Sequence, residues 1–236
     1  MKRLMTAAAL LTALTAATAS AQFSTVTTQR TIQSSRPVEL GLTAGYASGL
    51  SGEVFVHAPN VAGPIGVKLS AAYTSPGDSI RDDVSINPTL GLGTFGSYKA
   101  QGLASEGGSH VVVGLDGTYS LGEVTPGISV LGYAGGRYGM FKATETYAND
   151  AALSNTYSTS AFGVGVGAQL SYALAGNMSL VGDLGVDHFF NSAINISGGA
   201  NDTYNTGEAG YNDLRSRLAF PGTVFKAKLG LKLSNY

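Results

Sequence analysis

Few residues in this sequence have types and spacing suited to chemistry. The three histidines are His57, His110 and His188. None stands in a His-Glu-x-x-His motif, and none has a second ligand at the close spacing that zinc sites use. Ser109-His110 places a hydroxyl beside an imidazole, the makings of a nucleophile–base pair. Asp78, Asp82 and Asp83 offer carboxylate oxygens of the kind Ca²⁺ prefers, although a solvated acidic loop is the simpler reading. Gly91-Leu92-Gly93-Thr94-Phe95-Gly96 has Gly-x-Gly-x-x-Gly spacing, but lacks the surrounding strand–helix–strand unit that a dinucleotide site needs. Asn-x-Ser/Thr triplets such as those at Asn195 and Asn201 are common by chance. With no cysteine there is neither a disulfide nor a thiolate centre. No catalytic, cofactor-binding or metal-ligating residue is assigned.

The informative polar residues are of another kind. Ten charges recur at every second position within alternating segments: the acids Glu39, Glu53, Asp116, Asp183 and Asp187, and the bases Lys68, Arg137, Lys226, Lys228 and Lys232. Five acids against five bases is the balance a narrow, water-poor interior requires, because an unpaired buried charge is costly.

The elements that carry them read as β-strands. In 223–233, Phe225, Ala227, Leu229, Leu231 and Leu233 share one parity, and Lys226, Lys228, Gly230 and Lys232 the other. Strand side chains alternate faces, so this segment has one apolar and one cationic side. Phe162, Val164, Val166, Ala168, Leu170 and Tyr172 alternate as cleanly with glycines and polar residues, and similar segments begin near Val38, Val54, Ile65, Val111, Ile128 and Met178. Charged residues are 12% of the chain, against about 25% in soluble domains, and 33 glycines are present. That composition suits a barrel whose outside faces lipid. With net charge −1 and no basic tract, nucleic acid is not expected as a partner.

Residues 1–21 read as an export signal: Lys2-Arg3, an apolar stretch to Ala17, and the small-x-small site Ala19-Ser20-Ala21. A polar lead, 22–37, precedes a barrel domain at 38–236. Long connections at about 74–109, 142–158 and 191–222 alternate with short ones near 59–64, 120–127 and 173–177. Assigning the partly strand-like 89–98 to the first long loop gives an even count. The predicted fold is all-β: an antiparallel up-and-down transmembrane β-barrel, eight strands, with both termini on the periplasmic side. Tyr46, Tyr73, Tyr119, Tyr138, Tyr172 and Phe162, near strand ends, fit aromatic girdles.

With its signal, strand and loop pattern and terminal Tyr236, the chain resembles the small outer-membrane β-barrel proteins of the opacity and OmpA-like type over about 38–236. Members usually place the last aromatic in phase with the lipid-facing residues of the closing strand; here Leu229, Leu231 and Leu233 are out of phase with Tyr236. The resemblance implies an integral outer-membrane protein without catalytic activity or cofactor. Its work would be envelope structure or surface contact through the outer loops, and its partners outer-membrane lipid and the barrel-assembly machinery. Two other readings stay open. A soluble exported barrel holding a small apolar ligand requires the opposite facing, with Lys226, Lys228 and Lys232 in water. A lipid-modifying barrel enzyme would use Ser109, His110 or His188 at the outer rim.

Overall fold

In a computed structural model, residues 38–85, 93–148 and 153–234 are described. The expected signal (1–21) and polar lead (22–37), Gly91-Leu92 and Tyr236 lie outside them.

Eight strands close a ring: β1 (Glu39–Ala47), β2 (Leu50–Ala62), β3 (Ile65–Ser75), β4 (Ala104–Thr125), β5 (Ile128–Tyr147), β6 (Asn155–Ala173), β7 (Met178–Phe189) and β10 (Thr223–Ser234). Each pairs antiparallel with its neighbours, and β10 closes against β1 with Leu42 opposite Leu231 and Ala47 opposite Lys226. Closure leaves no sheet edge around the ring, so the backbone groups there pair within it. Three tight connections lie at one end, including Gly63 (φ 61°) and Gly127 (φ 81°), where positive φ favours glycine.

Alternation decides which way each strand faces. Leu229 is 67% exposed on the outer surface, while Lys228, one residue earlier, is 3% exposed. Leu42, Val54, Leu69, Leu115, Val166 and Leu184 are likewise exposed, whereas Glu53, Lys68, Asp116, Arg137 and Asp183 are buried. The barrel is oily outside and charged inside.

Glycines line the inward parity where the strands curl tightly. A Cβ on Gly230 would sit 1.9 Å from the Leu42 carbonyl oxygen, and one on Gly165 would sit 2.5 Å from an Arg137 nitrogen.

The long connections differ from their expected form. The segment 142–158 is mostly strand, because β5 runs to Tyr147 and β6 starts at Asn155. Its polar residues hid a continuing alternation: Phe141, Ala143, Glu145 and Tyr147 are buried, and Lys142 and Thr146 are exposed. For the same reason β4 reaches back to Ala104, inside the loop expected at 74–109. Within that loop Phe95–Ala100 forms a short helix, α1, capped by the Thr94 side chain, and no ninth strand joins the ring among the described residues. The expected loop 191–222 holds β8 (Ile194–Gly198), β9 (Asp202–Tyr204) and helix α2 (Tyr211–Arg217). β8 pairs with the outward end of β6, and β9 pairs with β8.

Candidate functional site

Inside the barrel the charges form linked groups. Nearest the chain ends, Glu39 binds His57 at 2.7 Å and Lys232 at 3.0 Å. The other ring nitrogen of His57 lies 3.0 Å from the Thr118 hydroxyl. Next, Glu53 pairs with Lys228 at 2.7 Å and with Lys68 at 3.4 Å, and Lys68 reaches Asp183 at 3.3 Å. The Tyr133 hydroxyl donates to Asp183 at 2.8 Å. Lys68 also lies over the rings of Phe55 and Tyr133, 4.6 and 4.8 Å from their centroids, which adds cation–π attraction where water is scarce. Finally, Arg137 bridges Asp116 at 2.6 Å and Asp187 at 2.8 Å, and Lys226 holds the second Asp187 oxygen at 2.9 Å. Each of the ten charges read from the sequence faces this interior, and each has an opposite charge within 3.4 Å.

Carboxylate, imidazole and hydroxyl at Glu39, His57 and Thr118 lie in the order of a hydrolytic relay. His57 and Thr118 are each 3% exposed, however, so no substrate carbonyl reaches the hydroxyl. The other histidines are apart from it and from each other's chemistry. His110 packs edge-on against Phe141, and His188 faces outward with its Nδ1 on the Thr223 hydroxyl at 2.9 Å. Ser109, His110 and His188 therefore do not assemble a catalytic group.

Above the charges sits an apolar layer. Phe141, Phe189, Phe220 and Val224 are buried there, with Phe141 and Phe189 edge to face at 4.9 Å. The connections fold over this layer. Ile80 bridges Leu218, the Ala219 amide donates to the Ser79 carbonyl, and Tyr211 and Leu214 of α2 turn inward. Between the charged and apolar layers lies a cavity of about 30 Å³ lined by side chains of both. The lysines face inward, the wrong way for a soluble barrel that holds an apolar ligand.

The acidic residues of the first loop are also occupied. Lys99 from α1 makes ion pairs with Glu106, Asp82 (2.7 Å) and Asp78 (3.7 Å), while Asp83 pairs with Arg81 at 3.1 Å. Asp78, Asp82 and Glu106 converge closely enough for a metal, but an ammonium already fills their centre. Glu106 also accepts the Ser79 and Ile80 amides at 2.7 and 2.8 Å, which ties the loop to β4. Burial raises the Glu106 pKa, yet the Lys99 hydrogen bond and these two amides outweigh it and leave the carboxyl below its usual range.

No protein-family model matches this sequence, and no curated protein matches it. Among solved structures, it is similar to a major outer membrane protein from Thermus thermophilus. The two share 28% identity and a TM-score of 0.76 over 84% of this chain and 99% of that one. This chain is a small outer-membrane β-barrel protein. The outer-membrane barrel is less similar to Ail of Yersinia pestis, with 12% identity and a TM-score of 0.43 over 84% of this chain and 97% of that one. It shares 14% identity and a TM-score of 0.42 with the N-terminal barrel of Pseudomonas aeruginosa OprF, over 85% of this chain and 98% of that one.

The exposed apolar belt of this outer-membrane protein is thereby its lipid-facing surface. Tyr46, Tyr73, Tyr138, Phe162 and Phe225 ring its outer side, with Tyr138 and Phe162 in contact at 5.1 Å, and Tyr119 and Tyr172 ring the other. Sequence reasoning missed Glu145, Tyr147 and Tyr157, which lay in an expected loop. The signal that finds them is the odd parity of Tyr133 and Arg137 continued through Phe141 to Tyr147.

Proposed function

We propose that this barrel is a closed, non-enzymatic envelope protein that stiffens the outer membrane and presents its outer connections for surface contact. The observation that carries this reading is the filled interior: paired charges, then aromatic residues, then two connections folded over the mouth. A solute path needs a continuous void, and a catalyst needs reactive groups that a substrate can reach. By contrast, β8, β9, α1 and α2 form an ordered surface beyond the apolar belt. Outer-membrane lipid is the first partner through that belt, and the barrel-assembly machinery is the partner for insertion.

Two measurements test the proposal. The protein reconstituted in a planar bilayer gives no steady ion conductance, and a stable open level would overturn the closed reading. Removing the protein from a producing strain increases detergent sensitivity or lowers adherence to surfaces. If neither changes, the envelope and contact roles fall.

A further inference from the structure

On the side of β4, β5 and β6 the barrel wall rises past the apolar belt, and β8 and β9 continue it. Strand register places its outward side chains in rows. The girdle row holds Val113, Tyr138 and Phe162. Above it lie Val111, Met140 and Ser160. The next row is Ser109, Lys142, Ser158, Asn195 and Thr203, polar throughout across five strands. Gly107, Thr144, Thr156 and Ser197 follow. The surface thus changes from apolar to polar within one row.

Lys142 is the one charge in these four rows. Its side chain is exposed and, among the described residues, its ammonium has no ion pair or hydrogen bond. The flanking Ser109 and Ser158 hydroxyls are likewise without partners there. Cross-strand neighbours stand about 4.5–5.5 Å apart, so one anion can meet the ammonium and a hydroxyl beside it. Height matters as much as charge. Lys142 lies two residues beyond Met140, about 5 Å further along the bilayer normal at the usual strand rise and tilt. The polar headgroup layer of a bilayer leaflet is about 5–7 Å deep. The flexible lysine stem lets the ammonium settle among headgroup oxygens while its methylenes cover the apolar row below.

We infer that this row binds an anionic lipid of the outer leaflet, its phosphate held by Lys142 with Ser109 and Ser158, and its acyl chains lying on Met140, Tyr138 and Phe162. The inference names the headgroup chemistry of the lipid contact proposed above and rests on that reading. A cation is repelled by Lys142. A neutral headgroup leaves the ammonium without a counter-charge, and a zwitterionic one brings a second cation to the same place. An anionic lipid supplies the missing charge at the height where lipid already stands against the belt. Across the barrel β1 and β10 end one and two residues past Tyr46 and Phe225, so the polar row is confined to the tall wall.

The test uses the full chain in phosphatidylcholine nanodiscs. One fluorophore is placed on Ser160→Cys, directly below the row, or on Tyr46→Cys across the barrel. Phosphatidylglycerol or phosphatidylcholine, each brominated near the top of its acyl chains, is titrated in as quencher. At the Ser160 position the acidic lipid is preferred about fivefold, the effect of one lysine near an anionic surface. The preference disappears in Lys142→Gln, persists in Lys142→Arg and is absent at the Tyr46 position. No preference beside the row, one that survives Lys142→Gln, or an equal one at the Tyr46 position overturns the inference. If the two lipids quench equally at both positions, lipid contact through the belt stands and the headgroup assignment alone fails. If neither lipid quenches at either position, the lipid-contact reading falls with it.

Discussion

Replacing Arg137 by Met probes the charged interior at its most buried link. The guanidinium is 2% exposed and contacts Asp116 and Asp187, themselves 1% and 4% exposed. After the change Asp187 keeps Lys226 at 2.9 Å, but Asp116 loses the partner of its one ion pair among the described residues. Breaking a buried pair by removing one member costs about 3–5 kcal/mol, mostly through the charge left behind. The retained Lys226 contact places the expected loss toward the lower end. Adding Asp116→Asn to Arg137→Met removes the stranded charge and recovers about 1–3 kcal/mol, since a neutral amide has a smaller desolvation penalty. Urea unfolding in micelles, followed by the gel-mobility difference between folded and unfolded barrel, reads both values. If Arg137→Met falls within about 1 kcal/mol of the parent, the interior is solvated and the reasoning fails. It fails equally if the second substitution adds its own loss instead of offsetting the first.

Other expected outcomes follow from the same geometry. Gly230→Ala places a Cβ 1.9 Å from the Leu42 carbonyl oxygen and should abolish the folded gel form, whereas Gly136→Ala, with nothing within 4 Å, should leave it intact. Leu229→Arg, at a lipid-facing position 67% exposed, should cost about 2–4 kcal/mol if it lies near the bilayer midplane, read by the same unfolding assay. The depressed pKa of Glu106 means that its contribution to loop order is complete above its ordinary value of 4.5 and is lost as pH falls through the lower folded value. Hydrogen exchange at the Ser79 and Ile80 amides should therefore quicken on acidification below about pH 4.5 and be insensitive to pH there in Glu106→Gln, after correction for intrinsic exchange.

Strand facing was legible because period-two alternation is local. Lys226, Lys228 and Lys232 against Leu229, Leu231 and Leu233 fix the inside and outside of β10 without knowledge of its neighbours. The balance of five acids and five bases pointed to a paired interior, though not to who pairs with whom; Lys68 reaching Asp183, 115 residues away, depends on closure of the ring. The outward ends of β5 and β6 were hidden because above the apolar belt the outward parity becomes polar while the inward one mixes Glu145 with Ala143, Tyr147 and Tyr157. Thr144 and Thr156 pair there across the strands, so hydrophobicity no longer separates the faces. For the same reason the buried Glu145 resembled a loop acid. The helices in the long connections were hidden by their brevity: α1 and α2, of six and seven residues, are too short to show a periodic face and are held by packing of Phe95, Tyr211 and Leu214.

Which side chains meet hydrocarbon decides the orientation of every strand, and the absence of native cysteine makes it directly measurable. Single cysteines at Phe225, Leu229 and Leu231, and at Lys226 for comparison, are labelled with a small fluorophore and reconstituted with lipids carrying a quencher on the acyl chain. Strong quenching at 225, 229 and 231, with little labelling or quenching at 226, is the predicted result. The opposite pattern, with the leucines of β10 shielded from lipid and its lysine position exposed to it, would contradict the account.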